Sequence, residues 1–186
     1  MITKEAIINN EIFVQNDLLS DQELTEFWFH VNSCGYGYTQ RSTPYSNKNQ
    51  KRLSHHYPID IFVETTVWKK LERLFNAPVG LIDSYINFSE VSARNLTHSD
   101  AGLNEPSILI CLNEHWERDW GGYTCFFKSM NSSEIVKAIC PEPGQIIIFN
   151  GFNWHIGLPP TMHAEVPRFM LALKLVWVDP KDKESK

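Results

Sequence analysis

The sequence predicts an α+β domain, mainly β, in which two N-terminal helices pack on a sandwich or barrel of strands. Three observations carry this. Two stretches with helical hydrophobic spacing lie in the first 76 residues, and from Gly80 onward the pattern changes to short apolar runs. Turn material separates those runs at Gly121-Gly122, at Asn131-Ser132-Ser133, at residues 141–144 and at Leu158-Pro159-Pro160. Helices followed by a run of strands is the order of an α+β chain rather than of alternating βαβ units.

The bulk properties fit one such domain. The 186 residues are long enough to bury a real core, and 42% hydrophobic with 21% charged is a globular composition. The organisation expected is a single domain over 1–180. Residues 1–79 provide helical support and a lid loop, 80–178 the strand core, and 181–186 a charged tail. A net charge of -5 counts against a nucleic-acid partner, whose binding surface is normally basic. The cysteines Cys34, Cys111, Cys125 and Cys140 form no CxxC pair and read as reduced thiols. With no signal-peptide pattern and no apolar run near the roughly 20 residues of a membrane helix, the expectation is a cytoplasmic protein without a membrane partner.

Taken in order, residues 11–14 read as a short strand. Ser20-Asp21-Gln22-Glu23 is a capping box, in which Ser20 satisfies a backbone N–H and Glu23 reaches back. Behind it Leu24, Phe27, Trp28 and Val31 recur at helical spacing, which predicts a helix over 21–32 with its aromatic stripe in the core. Residues 34–58 are turn-rich and polar, with a basic cluster of Lys51, Arg52, His55 and His56, and read as a lid or a solvated loop. A second helix is expected over 60–76, stopped by Asn76 and Pro78. Strands are expected at 81–88, 107–112, 123–127, 134–139, 145–149 and 168–178. On the last of these Phe169, Leu171, Leu173 and Leu175 share an apolar face, while Arg168, Met170, Ala172 and Lys174 share the other.

The chemistry concentrates in His98-Ser99-Asp100. Two residues apart on an extended strand, histidine and carboxylate point the same way, and His155 can complete a trio. Two imidazoles and one carboxylate are the ligand set of non-heme Fe(II) oxygenases, which leaves coordination positions open. With seven His and eight Asp in the chain, a chance His-x-Asp is expected about 0.3 times, so the tripeptide alone is weak. Weight comes from Arg168 opening an amphipathic strand after His155, where a guanidinium can grip a carboxylate by two parallel hydrogen bonds.

From about Ser84 to Trp177 the sequence resembles the Fe(II)- and 2-oxoglutarate-dependent oxygenases, in their prolyl 4-hydroxylase-like branch. The matching pieces run in order: Tyr85-Ile86-Asn87, His98-Ser99-Asp100, then Ile110-Cys111-Leu112-Asn113 with Trp116. They continue with Trp120-Gly121-Gly122-Tyr123, the run Pro143-Gly144-Gln145-Ile146-Ile147-Ile148-Phe149, Trp154-His155, and Arg168. The resemblance implies a double-stranded β-helix (jelly-roll) core with Fe(II) held by His98, Asp100 and His155. It implies Arg168 on the distal carboxylate of 2-oxoglutarate, with O2 as second cosubstrate and ascorbate as an accessory reductant. The expected products are succinate, CO2 and a hydroxylated substrate: a peptidyl residue such as proline, or a small molecule such as an amino acid. Halogenating members of the superfamily lack the carboxylate that Asp100 supplies, which favours hydroxylation or a demethylation proceeding through it.

Four departures qualify the resemblance. The 13 residues from His155 to Arg168 exceed the usual spacing, so residues 159–167 should form an extended turn. Lys174, on the face of Arg168, is the alternative anchor. Cys111 stands where many relatives carry a tyrosine that touches 2-oxoglutarate, and Tyr85 or Asn87 would take over its hydrogen bond. His163, inside the extended turn, competes with His155 but lacks its preceding Trp154; His30 is read as helix surface and His115 as a turn residue. Two other readings remain: an oxygenase or demethylase directed at nucleic acid, motivated by Arg41, Lys48, Lys51 and Arg52, and a jelly-roll binding protein without turnover.

Overall fold

The computed structural model describes residues 1–34, 38–39, 51–53, 62–100 and 104–179. Three layers stack: helices, a seven-stranded sheet and a three-stranded sheet. The helical layer comprises α1 (Lys4–Ile8), α2 (Asp21–Cys34) and a π-helical turn (Val63–Val67) running into α3 (Trp68–Leu71). The strands are β1 (Phe13–Gln15), β2 (Tyr38–Thr39), β3 (Lys51–Leu53), β4 (Val79–Ser89), β5 (Pro106–Cys111), β6 (Thr124–Phe127), β7 (Ile135–Ile139), β8 (Ile146–Asn150), β9 (Trp154–Gly157) and β10 (Arg168–Trp177). The large sheet runs β1-β8-β5-β10-β4-β3-β2 and the small one β7-β6-β9. All described strand pairs are antiparallel.

Side-chain alternation decides what each face of the large sheet touches. Ile86, Ile108, Ile110, Ile146, Ile148, Leu171 and Leu173 point to the helices and join Leu24, Phe27, Val67 and Leu71 in one core. Leu109, Cys111, Ile147, Phe149, Met170 and Ala172 point the other way and meet Phe126 and Ile139 of the small sheet. Strands β5 and β8 are therefore apolar on both faces, which explains their unbroken hydrophobic runs. Each fully buried Leu or Ile stabilises the fold by roughly 1.5–3 kcal/mol.

Local signals set the ends of the helices. The Ser20 amide and hydroxyl both donate to Glu23 Oε2, at 2.8 and 2.9 Å, so the expected capping box forms. Lys70 of α3 donates to the same carboxylate at 2.6 Å and to the Leu18 carbonyl, fastening one helix to the start of the other. The helix expected over 60–76 is shorter: after Leu71 the chain turns, and Ile2 captures it by bridging to Phe75, with its amide donating to Leu74 O and its carbonyl accepting from Asn76. That tertiary pairing overrides the local helical spacing. Helix α1, capped by the Thr3 hydroxyl accepting from Ala6 N, was not expected at all. Within 34–58 the backbone of β2 and β3 adds two short strands to β4, so the stretch is not wholly a loop. The rest of that segment, including Arg41, Lys48, His55 and His56, lies outside the described residues, as does the tail 181–186. No described helix is long and apolar enough to cross a membrane.

Candidate metal and cosubstrate site

The site lies between the two sheets, against the face of β4 and β10 that looks away from the helices. His98 is held by an isolated bridge rather than by a full strand: its amide donates to His155 O at 2.9 Å and its carbonyl accepts from His155 N at 2.8 Å. The Asp100 amide donates to Gly151 O at 2.7 Å, fixing the carboxylate over the turn that enters β9. These backbone contacts bring one ligand atom each from His98, Asp100 and His155 within 4.8 Å of one another. Nε2 of His98 is 3.7 Å from Asp100 Oδ1, and Nε2 of His155 is 3.9 Å from Oδ2.

Both imidazoles have their tautomer set by the backbone. Nδ1 of His98 contacts the Leu96 carbonyl and Nδ1 of His155 the Asn153 carbonyl, each at 2.9 Å. A carbonyl only accepts, so each Nδ1 carries the proton and each Nε2 offers its lone pair to the cluster. Burial pushes the His155 imidazole down to about 4, against an opposing pull from Asp100. Burial works to raise the Asp100 carboxyl, but Lys174, then His155 and His98, hold it well below the usual carboxylate range. A neutral buried imidazole, a second with its lone pair presented, and an ionised carboxylate form a donor set suited to a divalent metal with open positions.

Arg168 opens β10 about one strand-width from Ser89 and is 4% exposed. Its Nη2 donates to Thr124 Oγ1 at 2.7 Å, while its buried Nε has no hydrogen-bond partner, and no described acid pairs with it. Burial lowers the guanidinium to about 10, which leaves it charged at neutral pH. Two glycines make room for it. A Cβ at Gly157 would lie 2.8 Å from Nη1, and one at Gly122, where φ is +69°, would lie 3.1 Å from Cδ and 2.8 Å from the Trp116 ring. Asn113 fixes the backbone on either side, its Nδ2 donating to Pro167 O and its Oδ1 accepting from Phe169 N, both at 2.8 Å. The extended turn before Arg168 is tied down separately, by Thr161 N donating to Trp120 O at 2.8 Å.

The cluster and Arg168 share one cavity, lined also by Tyr85, Asn87, Ser89, Asn95, Met170 and Lys174. Lys174 is ion-paired with Asp100, a contact the sequence did not reveal although it placed the lysine on the right face. Tyr85 and Asn87 line the cavity as neighbours of Ala172 and Met170 in the ladder. Cys111, on the far side of Met170, is buried in the inter-sheet core, where burial pushes its thiol up to about 11. His163 is exposed, and His115 is exposed beside Glu117 at 3.4 Å, so neither joins the cluster. Asn113, Thr124 and Gly157 escaped the sequence reading as supports of Arg168. Thr124 alone left a trace, as a polar residue near the start of an apolar strand.

No family model and no curated protein sequence matches the chain. Solved structures do match it. A prolyl hydroxylase from Trichoplax adhaerens, in complex with a hypoxia inducible factor peptide fragment, is 17% identical with a TM-score of 0.65, covering 98% of this chain and 92% of its own. A prolyl-4-hydroxylase from Pseudomonas putida is 14% identical with a TM-score of 0.57, covering 95% and 97%. HygX from Streptomyces hygroscopicus, with nickel and 2-oxoglutarate bound, is 10% identical with a TM-score of 0.64, covering 92% and 85%. The two antiparallel sheets of this chain are thus the double-stranded β-helix fold of the 2-oxoglutarate-dependent oxygenases, prolyl hydroxylases among them.

Proposed function

We propose that the protein is an Fe(II)- and 2-oxoglutarate-dependent oxygenase that hydroxylates a peptidyl residue, proline among the candidates, or a small molecule such as an amino acid. The observation that carries this reading is a buried guanidinium with no counter-charge among the described residues, in the same cavity as a His-Asp-His cluster. An uncompensated buried cation costs several kcal/mol, so Arg168 is placed for an anionic ligand. A metal cluster alone would fit many enzymes; joined to a carboxylate anchor it fits this one.

In this reading His98 and His155 bind iron through Nε2, because their Nδ1 protons are committed to backbone carbonyls. Asp100 supplies the single negative charge of the set. Arg168 would hold the distal carboxylate of 2-oxoglutarate, while Thr124 keeps the guanidinium in place. Iron with 2-oxoglutarate, when bound, supplies oxidative decarboxylation to succinate and CO2 and the transfer of one oxygen atom to a C–H bond. Tyr85 and Asn87 lie on the cavity wall, where they can hydrogen-bond the cosubstrate in place of the tyrosine that Cys111 replaces. Leu109, Phe88 and Met170 make the apolar part of the wall and limit water around the metal.

The neighbour bound to a hypoxia inducible factor peptide fragment supports a peptide substrate, and HygX, also solved with hygromycin B bound, supports a small molecule. The test is turnover with Fe(II), 2-oxoglutarate and O2 against a library of proline-containing peptides and free amino acids, read as succinate release and a product heavier by one oxygen atom. Product formed by the wild type and abolished in Asp100→Ala supports the reading. Product formed equally by Asp100→Ala contradicts it.

A further inference from the structure

With Arg168 as the anchor of 2-oxoglutarate, Lys174 is left without that task, yet its side chain lines the same cavity. The side chain is only 18% exposed, pairs with Asp100 and lies against Tyr85, with Nζ 5.9 Å from the ring centroid. Asp83, opposite Lys174 in the ladder between β4 and β10, makes no ion pair with it among the described residues. Among the described residues the cavity therefore holds two cations, Arg168 and Lys174, against one carboxylate, Asp100. Fe(II) and the 2-oxoglutarate dianion cancel each other's charge, so loading the site leaves one positive charge in excess. Metal at Asp100 also draws on the negative charge that Lys174 now shares, and a buried cation without a partner is strongly unfavourable.

We propose that Lys174 is the substrate anchor, and that the molecule oxidised carries a carboxylate which Lys174 Nζ holds beside the metal cluster. This rests on the oxygenase reading of the site. An ammonium has three donors, and Asp100 and Tyr85 account for two of them. A single excess charge matches a monoanionic carboxylate; a phosphate monoester, at about -1.5 to -2, would overshoot it. Arg168 and Lys174 stand six residues apart on one strand, roughly 20 Å along it at about 3.3 Å per residue. With their backbones that far apart, the two anchors need not serve the same carboxylate.

The experiment uses the whole protein under nitrogen with Fe(II) and 2-oxoglutarate, whose complex gives a visible absorption band. Acetate, acetamide and methyl phosphate are titrated in as probes. Acetate should shift the band saturably, and acetamide and methyl phosphate should bind at least tenfold more weakly. Lys174→Met should still form the band but lose the preference for acetate, and Lys174→Arg should keep both. Equal binding of acetate and acetamide, an unchanged preference in Lys174→Met, or acetate that only bleaches the band by displacing 2-oxoglutarate overturns the proposal. Tightest binding of methyl phosphate overturns the carboxylate assignment. If Lys174→Met does not fold, the contrast between acetate and acetamide in the wild type and Lys174→Arg decides. A wild type that forms no band at all refutes the oxygenase reading itself, a result distinct from every other.

Discussion

Gly157 and Arg168 are in contact in a way that only glycine permits: a Cβ at position 157 would lie 2.8 Å from Arg168 Nη1. The strand that carries His155 therefore also makes the space for the guanidinium, two residues further on. Gly157→Ala should displace Arg168 while leaving His98, Asp100 and His155 in place. Calorimetry should show 2-oxoglutarate affinity reduced roughly tenfold, about 1.4 kcal/mol, with Fe(II) affinity unchanged. An equal loss in both would mean that the substitution disturbs the fold of β9 instead.

Arg168 itself should matter more. Arg168→Gln removes the only described guanidinium in the cavity and should weaken 2-oxoglutarate binding by about 2–5 kcal/mol, the usual cost of truncating a buried charge pair. Arg168→Lys should recover part of this, because a lysine keeps the charge and loses the fork. The fold should tolerate Gln, since no described acid is left unpaired by the change.

Acid should destabilise the metal-free protein through His155. Its folded pKa of about 4 lies below the ordinary 6.5, so the unfolded chain binds more protons between those values. Stability is then full above pH 6.5 and falls as pH drops toward 4, by about 2 kcal/mol between pH 7 and pH 5. Urea unfolding of chelator-treated protein at these two pH values measures it. In His155→Gln that part of the pH dependence should vanish.

The thiols should differ in reactivity. Burial raises the thiols of Cys111, Cys125 and Cys140 alike, but Cys111 and Cys125 are buried while Cys140 is only partly covered. Iodoacetamide at pH 8 should label Cys140 in the native protein well before Cys111 or Cys125, and urea should expose all three. Mass spectrometry of the digested protein reads the order.

Much of this was legible in the sequence, for a physical reason. Period-two alternation over 168–175 fixes which residues face the cavity, and β10 places Arg168, Met170, Ala172 and Lys174 on that face. Capping chemistry at Ser20 and Glu23 is equally local, and it appears as written. What stayed hidden depends on contacts between distant segments. Ile2 ends the third helical segment by pairing at Phe75, and the four residues of β9 gain strand geometry only from β6 and the bridge to His98. A lysine on the correct face could likewise be assigned a role, but its pairing with Asp100 required the bridge that brings Asp100 over the sheet. Asn113 supports Arg168 from 55 residues away, a distance across which no local pattern speaks.

The most direct test is the visible spectrum of the protein with Fe(II) and 2-oxoglutarate under nitrogen. The wild type should develop a charge-transfer band on adding the second component, and His98→Ala and His155→Ala should each abolish it. A wild type without the band, or a band that survives either substitution, would contradict the assignment of the metal site.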